Sequence, residues 1–182
     1  MKGESKNLRL LPFACFSTLL TLPSNWYTLQ AMADITPLLT LETLSAYLKK
    51  RDVNHEIEQQ DQNRFIRMNW KFEMGDAGVI LSLNDAQGGT SRLEITCVTH
   101  NQYRGRRAQV VEMLTVRNRE RAFTRSMDED GNMFLEYIGF YPSFMPFPEE
   151  LFETIFGGAL VHFQDDYATL EGVPSPAAQA QA

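Results

Sequence analysis

Hydrophobic and polar residues alternate strictly over residues 66–74. The apolar positions are Ile66, Met68, Trp70, Phe72 and Met74, and the polar positions are Arg67, Asn69, Lys71 and Glu73. Because successive side chains of a β-strand point to opposite faces, this alternation predicts a strand with one buried and one solvent-facing side. A turn is expected at Gly75–Gly78, followed by a partner strand at Val79–Leu83. A loop at Asn84–Thr90 then leads to a third strand at Arg92–Thr99, so the region is predicted to be an antiparallel meander.

A short amphipathic helix is expected before this meander. Its apolar residues recur at i, i+3 and i+7, namely Leu41, Leu44 and Leu48. Thr40 directly precedes them and suits the N-cap of a helix, because its hydroxyl can accept a hydrogen bond from a free backbone N–H. Between this helix and the meander, Asn54–Gln60 can form a further strand with Ile57 facing inward.

Two further helices are expected after the meander. The second spans roughly Gly105 to Asn118, with an apolar stripe of Val110, Val111 and Leu114. The third runs from about Pro148, a residue tolerated in a first helical turn, to Phe163. Its expected buried face consists of Leu151, Phe152, Ile155, Phe156, Ala159 and Phe163.

An acidic tight turn lies between these two helices. Asp128-Glu129-Asp130-Gly131 separates two β-prone runs, Ala122–Met127 and Met133–Tyr141. Aspartate can hydrogen-bond its own backbone and glycine accepts a positive φ, so the turn predicts a β-hairpin. The order of elements is therefore helix, strands, helix, hairpin and helix, which predicts an α+β fold with an antiparallel β-sheet and flanking helices.

The ends of the chain differ from the domain predicted at residues 35–171. Residues 1–34 form an N-terminal extension, interpreted as disordered or as a misassigned start, since Met32 opens cleanly into the domain. The apolar run Leu10–Leu22 and the sequence Ala31-Met32-Ala33 also outline a signal peptide, which is the less favoured interpretation, and an ordered extra element is a further alternative. Residues 172–182 are of low complexity and are predicted to be a disordered C-terminal tail.

Composition narrows the class of protein. The 182 residues are 43% hydrophobic and carry a net charge of -6, which is ordinary for a soluble domain and argues mildly against a general nucleic-acid binder. Two cysteines do not make a disulfide framework, so a cytoplasmic location is expected. No apolar run reaches the roughly 18 residues that a membrane span needs, so no membrane partner is expected.

Residues that could carry catalysis or bind a metal do not form a recognisable set. The three histidines are far apart, and Tyr137 stands where a calcium loop built on the acidic turn would need glutamate. Cys97 alternates with core positions and is interpreted as a buried apolar residue. The pair Asp165-Asp166 adjoins the tail, which is an unfavourable place for acid–base chemistry. We therefore expect a non-enzyme with no catalytic residue, no cofactor and no metal.

An arginine-rich stretch is the strongest concentration of charge. Seven of the chain's 17 basic residues lie between positions 104 and 125: Arg104, Arg106, Arg107, Arg117, Arg119, Arg121 and Arg125. They could bind an anionic partner, either nucleic acid or an acidic protein segment, with Arg106, Arg117, Arg119 and Arg121 as the candidate contacts. The favoured interpretation is that these arginines pair with the acidic turn and the acid-rich last helix.

The segment of residues 140–147, which we call the connector, joins the last strand to the last helix. It contains four aromatic residues, one methionine and two prolines: Phe140, Tyr141, Pro142, Phe144, Met145, Pro146 and Phe147. Connecting segments normally lie on the surface, so this much apolar area needs an explanation. The favoured interpretation is that the connector folds back and caps the sheet. The alternative is that its apolar side chains, Phe144 and Met145 above all, bind a partner protein.

Residues 38–171 resemble the YbjN family of bacterial proteins. The resemblance rests on the opening helix LTLETLSAYLKK, the helix end near Asn118, Arg119–Phe123, the Asp130-Gly131 turn and the terminal helix Glu150–Phe163. That family is described as candidate sensory-transduction regulators, and its fold is similar to that of type III secretion chaperones, which homodimerise and hold extended client segments. The resemblance provides no catalytic residues to carry over.

The leading functional hypothesis is a non-enzymatic, homodimeric protein-binding module, acting as a chaperone-like or regulatory adaptor for a client protein. A homodimer is expected because three amphipathic helices and one sheet offer more apolar surface than one chain can bury. The alternative is a nucleic-acid-associated regulator that uses the Arg104–Arg125 stretch.

Overall fold

The computed structural model describes residues 36–120 and 123–172, without the side chain of Glu120. Its strands are β1 (Glu56–Gln60), β2 (Asn63–Phe72), β3 (Gly75–Ala86), β4 (Thr90–Thr99), β5 (Thr124–Met127) and β6 (Met133–Pro142). Its helices are α1 (Leu41–Lys50), α2 (Arg107–Glu120) and α3 (Glu149–Glu171). The predicted α+β class and the order helix, strands, helix, hairpin, helix are confirmed. Apart from Gly172, the N-terminal extension and the C-terminal tail lie outside the described residues.

The strands form one antiparallel sheet in the order β1-β2-β3-β4-β6-β5. Across four neighbouring strands, the register places Met68, Val79, Cys97 and Leu135 side by side on one face, and all four are buried. The helices pack on this face. Phe72 of β2, for example, lies 5.1 Å from Phe163 of α3 between ring centroids. This shared face is therefore the hydrophobic core. Burial of one such side chain stabilises a fold by roughly 1.5–3 kcal/mol.

Helix α1 begins where its sequence predicts. Thr40 is the N-cap, and its hydroxyl oxygen accepts a hydrogen bond from the Thr43 backbone N–H at 3.0 Å. Leu44 and Leu48 are completely buried. The helix is short, so this docked face stabilises it more than its intrinsic propensity does.

Ile57 faces inward, as predicted, but its side chain is not buried. Strand β1 is shorter than the predicted strand, and Ile57 pairs with Ile66, which places it on the helix-covered face. Its side chain is nevertheless 41% exposed. The reason is that β1 is an edge strand, with only β2 beside it in the described sheet.

The turn predicted at Gly75–Gly78 lies instead at Glu73 and Met74, and β3 starts at Gly75. Gly75 has a φ of 144°, and a Cβ atom on it would lie 2.7 Å from the Tyr167 hydroxyl oxygen. The glycine therefore provides the positive φ with which the chain leaves the turn, and also the space for Tyr167 of α3.

The loop predicted at Asn84–Thr90 is also shorter than expected. Strand β3 continues to Ala86 and β4 starts at Thr90, which leaves three residues to connect them. Gly88 and Gly89 both have a positive φ, so two glycines suffice to reverse the chain.

Helix α2 follows a single 3-10 turn at Arg104–Arg106 and connects β4 to β5. Val110 and Leu114 are buried, as predicted, but Val111 is exposed. Val110 and Leu114 are four residues apart and share one face, whereas Val111 lies about 100° further round the helix. The buried stripe is thus narrower than predicted.

The acidic turn forms the predicted hairpin between β5 and β6, with Met127 paired to Met133. A carboxylate oxygen of Asp128 accepts a hydrogen bond from the Asn132 N–H at 2.8 Å, and Gly131 has a φ of 90°. Strand β5 begins at Thr124, and Ala122, the predicted start, is outside the described residues. The local chemistry of the turn therefore specifies this hairpin.

Helix α3 starts after Pro148, as predicted, and continues to Glu171, well beyond the predicted end at Phe163. Its buried face continues through Tyr167 and Leu170, while Leu151, which was predicted to be buried, is 37% exposed in the first turn. Within the described ranges, no helix is both long and apolar enough to cross a membrane.

Candidate protein-binding surface

Strand β6 leads into the connector through two tyrosines on its core side. The hydroxyl groups of Tyr137 and Tyr141 share a hydrogen bond across Gly139. A Cβ atom at Gly139 would lie 2.5 Å from the Tyr137 hydroxyl oxygen, so only glycine lets the two rings meet. Burial and the bond to Tyr137 raise the pKa of Tyr141 well above its ordinary value. Most of the Tyr141 side chain therefore packs within the domain, although part of its surface remains accessible.

Phe147 is the buried anchor of the connector. Its side chain is only 2% exposed and its ring centroid lies 5.1 Å from that of Tyr141. Its backbone N–H donates to the Pro37 carbonyl at 2.8 Å, and its carbonyl accepts from the Tyr47 hydroxyl at 2.7 Å. Phe147 thus packs into the domain, as the interpretation of the connector as a cap expects. This residue was also a candidate partner contact, but it offers a partner almost no surface.

Four other apolar side chains in the same part of the chain stay in solvent, and we call them the connector patch. They are Ile138, Phe140, Phe144 and Met145, with exposed fractions of 46%, 63%, 76% and 51%. Ile138 and Phe140 lie two residues apart on β6 and face away from the helices, because their neighbours Tyr137 and Tyr141 face the core. Large exposed apolar side chains concentrated in one short segment are typical of an interaction site.

Backbone hydrogen bonds hold the exposed part of the connector. The Ser143 N–H donates to the Gly89 carbonyl at 2.9 Å, and the Met145 N–H donates to the Pro142 carbonyl at 3.2 Å. Pro146 forms a β-bridge with Leu38. Phe144 and Met145 therefore project from a segment that is fixed on both sides, which lowers the entropy lost when a partner binds.

The first arginines of the basic stretch pair with the hairpin turn. Arg104 forms an ion pair with the Asp130 carboxylate, and Arg107 donates to the Asp128 carbonyl at 2.6 Å. Arg106 lies over the Tyr103 ring, with its guanidinium carbon 5.3 Å from the ring centroid. Of these three arginines, Arg104 pairs with an acidic side chain, whereas Arg107 binds a backbone carbonyl and Arg106 an aromatic ring.

Arg117 pairs with helix α3. Its guanidinium lies 2.5 Å from the Asp165 carboxylate, and both side chains are about 15% exposed. It also donates to the Thr169 hydroxyl at 3.0 Å. Of the other candidate anion contacts, Arg119 is exposed, and Arg121 lies outside the described residues. The structure therefore does not gather the three described candidates, Arg106, Arg117 and Arg119, into one site.

Arg125 and Asp166 form an ion pair in which both side chains are completely buried. Asn118 holds the backbone of Arg125 on both sides, since its amide donates to the Arg125 carbonyl and accepts from the Arg125 N–H at 2.9 and 2.8 Å. The sequence analysis missed this pair because it placed Asp166 beside the tail. The spacing of Phe163, Tyr167 and Leu170 could have shown that the helix and its buried face continue past Asp166.

The alternative of a nucleic-acid partner leads to a direct prediction. With Arg104, Arg107 and Arg117 engaged inside the protein, we expect only weak, salt-sensitive binding to a fluorescent 20-nucleotide DNA or RNA in anisotropy titrations. Sub-micromolar affinity at 150 mM salt, lost on Arg106→Glu with Arg119→Glu, would contradict this expectation. Lys49→Glu with Lys71→Glu is the matched control, since it makes the same change of charge elsewhere.

Cys97 and His55 are two further chemically reactive side chains among the described residues. Burial raises the pKa of the Cys97 thiol to about 12, so this cysteine remains protonated in the core. The His55 ring lies 2.7 Å from the Ser45 hydroxyl oxygen through its Nε2 atom. Nowhere in residues 36–120 and 123–172 do three His, Cys, Asp or Glu side chains come together in a way that could hold a metal.

Comparison with known proteins finds similarity among solved structures. No family model and no curated protein sequence matches the chain. Among solved structures, the chain is similar to YbjN from E. coli, described as a candidate transcription regulator; the match covers 75% of this chain and 96% of that one, with 13% identity and a TM-score of 0.43. The chain is thus similar to a member of the family that its sequence resembles. A similarity of this size identifies no site, partner or activity.

Proposed function

We propose that this protein is a non-enzymatic, homodimeric protein-binding module that acts as a regulatory or chaperone-like adaptor and holds a client protein segment on the connector patch. The observation that supports this proposal is the exposure of Phe140, Phe144 and Met145 on a segment anchored by buried Phe147. An anchored apolar surface has no evident role in the stability of the chain itself, whereas it suits a partner with apolar side chains.

The residue types of the patch favour a protein client. Phenylalanine provides a large contact area with few rotatable bonds, and aromatic residues are enriched at protein interfaces. Methionine adapts its shape and so tolerates clients of different sequence. The client segment is therefore expected to be apolar or amphipathic.

The most buried ion pairs among the described residues support a binding role over catalysis. Arg117 and Arg125 contact Asp165 and Asp166, which ties α2 and β5 to α3. These ionisable groups pair with each other. They belong to α2, β5 and α3, whereas the connector patch belongs to β6 and the segment that follows it. Their role is to position the framework that presents the patch.

Photo-crosslinking tests this function at a single position. With p-benzoylphenylalanine in place of Phe144, irradiation in an extract of the native host should give discrete crosslinked products that mass spectrometry identifies. The same group at Val161, which is 69% exposed on α3, is the matched control and should not give these products. Competition with excess unlabelled protein should remove the products, whereas excess Phe144→Ser with Met145→Ser should not.

Products that are identical at both positions would show non-specific capture and would contradict the proposal. Products that excess Phe144→Ser with Met145→Ser removes as well as wild type would place the client elsewhere. A complete lack of products specific to position 144 would leave the connector patch without a protein partner and would also overturn the proposal.

A further inference from the structure

The face of the sheet opposite the core, which we call the outer face, carries several large apolar side chains. They alternate with the core positions along the strands, and they are Phe65, Ile80, Val98, Phe134, Ile138 and Phe140. None of the six belongs to the core cluster, and all six keep part of their surface accessible. The side of an antiparallel sheet that meets only water is normally polar. These side chains therefore indicate that a partner covers the outer face.

The strand registers arrange the outer face in three rows across β2, β3, β4 and β6. The first row is Phe65, Ser82, Glu94 and Ile138; the second is Arg67, Ile80, Thr96 and Glu136; the third is Asn69, Gly78, Val98 and Phe134. In the first row the residues on β2 and β6 are both apolar, and in the second they carry opposite charges. The outer face is therefore complementary to itself when β2 of one copy lies over β6 of another.

We infer that a second copy of this chain covers the outer face, with a two-fold axis that runs parallel to the strands, midway between β3 and β4. This axis puts β2 of each copy over β6 of the partner, and β3 over the partner's β4. The inference rests on the homodimer of the proposed function and assigns its interface. The two sheets then form a sandwich with the helices on its outside.

The first two rows and the third match across this axis. Phe65 packs against the partner's Ile138, and each such contact occurs twice because of the symmetry. In the third row the partner's Val98 lies over Gly78, whose missing side chain leaves room for it. Apolar side chains from two facing sheets form the inside of a sandwich in this way.

The charged pair of the second row supports a second copy as the partner. The strands beside Glu136 place Thr96 and Thr124 next to it on the outer face, so its neighbours across the sheet are uncharged. The partner's Arg67 provides the missing cation. Glu56 of the same chain lies beside Arg67 within the sheet, whereas the partner's Glu136 lies above it, so the two carboxylates occupy different positions around the guanidinium. Opposite charges that face each other across an interface fix its register.

Three other two-fold axes match less well. An axis along β3 would put Phe65 over the partner's Glu94, and an axis along β4 would put Ile80 over the partner's Glu136. Each would bury a carboxylate against an apolar side chain, which costs free energy. An axis across the strands at the second row would set Arg67 against the partner's Arg67, and like charges repel.

The outer face is also large enough for a stable dimer. Strands β2, β3, β4 and β6 have at least ten residues each. Because strands lie about 4.8 Å apart and rise about 3.4 Å per residue, these four present a face of about 650 Å². That area is close to the roughly 800 Å² that each partner contributes to a standard interface.

The connector patch keeps a surface for the client in this dimer. Ile138 enters the dimer interface, whereas Phe144 and Met145 follow the end of β6 at Pro142 and lie beyond the paired rows. The dimer therefore leaves two separate client surfaces, one on each copy.

Ile138→Asp tests the interface at a side chain that the single chain leaves exposed. Light scattering of the full-length wild type at micromolar concentration should give the mass of two chains, and Ile138→Asp should give the mass of one. Val161→Asp is the matched control, since Val161 is 69% exposed on α3, and it should remain a dimer. Circular dichroism establishes that both variants are folded. An Ile138→Asp dimer as tight as the wild type would overturn the outer face as the interface.

Charge reversal tests the position of the axis. Arg67→Glu and Glu136→Arg should each raise the dissociation constant of the dimer at least tenfold, measured by light scattering across a dilution series. The double variant should restore the dimer, because the swap rebuilds both ion pairs across the axis. Lys49→Glu makes the same change of charge on α1 as Arg67→Glu and should leave the dimer intact. A double variant that stays as weak as the single variants would overturn the axis between β3 and β4.

The failure of this interface can be told apart from failure of the proposed function. A dimer that survives Ile138→Asp and both charge reversals overturns the outer face as the interface but leaves the homodimer standing. A wild-type monomer at every concentration overturns the interface and the homodimer together. Client binding at the connector patch is decided separately, by the crosslinking at Phe144.

Discussion

Phe147→Ala is expected to lower the free energy of unfolding by about 3–5 kcal/mol, as for other buried phenylalanines. The side chain is almost completely buried, and its ring packs against Tyr141. Truncation would leave a cavity under the start of α3 and would loosen the backbone that binds Pro37 and Tyr47. Urea unfolding followed by far-ultraviolet circular dichroism measures the change.

The matched control is the double variant Phe144→Ala with Met145→Ala in the same connector. Both side chains are mostly exposed, so the free energy of unfolding should change by no more than about 0.5 kcal/mol. A loss above about 2 kcal/mol in this control would mean that the connector patch is part of the core. A negligible effect of Phe147→Ala would show that the connector is not anchored as described.

Asp166→Ala is expected to lower the free energy of unfolding by about 3–5 kcal/mol, because it leaves the buried charge of Arg125 without its carboxylate. Arg125→Met should have a smaller effect, because the Asp166 carboxylate still has the Arg117 guanidinium 3.4 Å away. Both side chains are inaccessible to solvent, and the pair joins β5 to α3. Urea unfolding at neutral pH measures both variants.

The double variant Arg125→Met with Asp166→Leu tests the cause. It removes both charges and fills the space with apolar atoms, so it should recover most of the stability lost in the single variants. Arg64→Met is the matched control, since the Arg64–Glu42 pair is exposed and should contribute less than about 1 kcal/mol. If the double variant is as unstable as the sum of the single variants, charge burial is not the cause.

Local patterns in the sequence determined the elements and their order. The alternation at residues 66–74 predicts β2, Thr40 predicts the start of α1, and the turn Asp128–Gly131 predicts the hairpin. Each of these features depends on interactions between residues that are few positions apart. The predicted β3 and α3 were too short because glycine and aspartate residues were interpreted as marking the ends of these elements. In the structure these residues lie inside β3 and α3, where contacts with distant parts of the chain stabilise them.

The sequence alone also determined that the connector is unusually apolar and that the arginines are concentrated, but only the tertiary structure decided what each side chain faces. Asp166 is buried because Arg125, 41 positions earlier, comes to lie against it. Phe147 is an anchor because Tyr47, 100 positions earlier, binds its carbonyl, whereas Phe144 has no comparable cover. Burial is set by whatever packs opposite a residue, and for these residues the opposing groups come from distant parts of the chain.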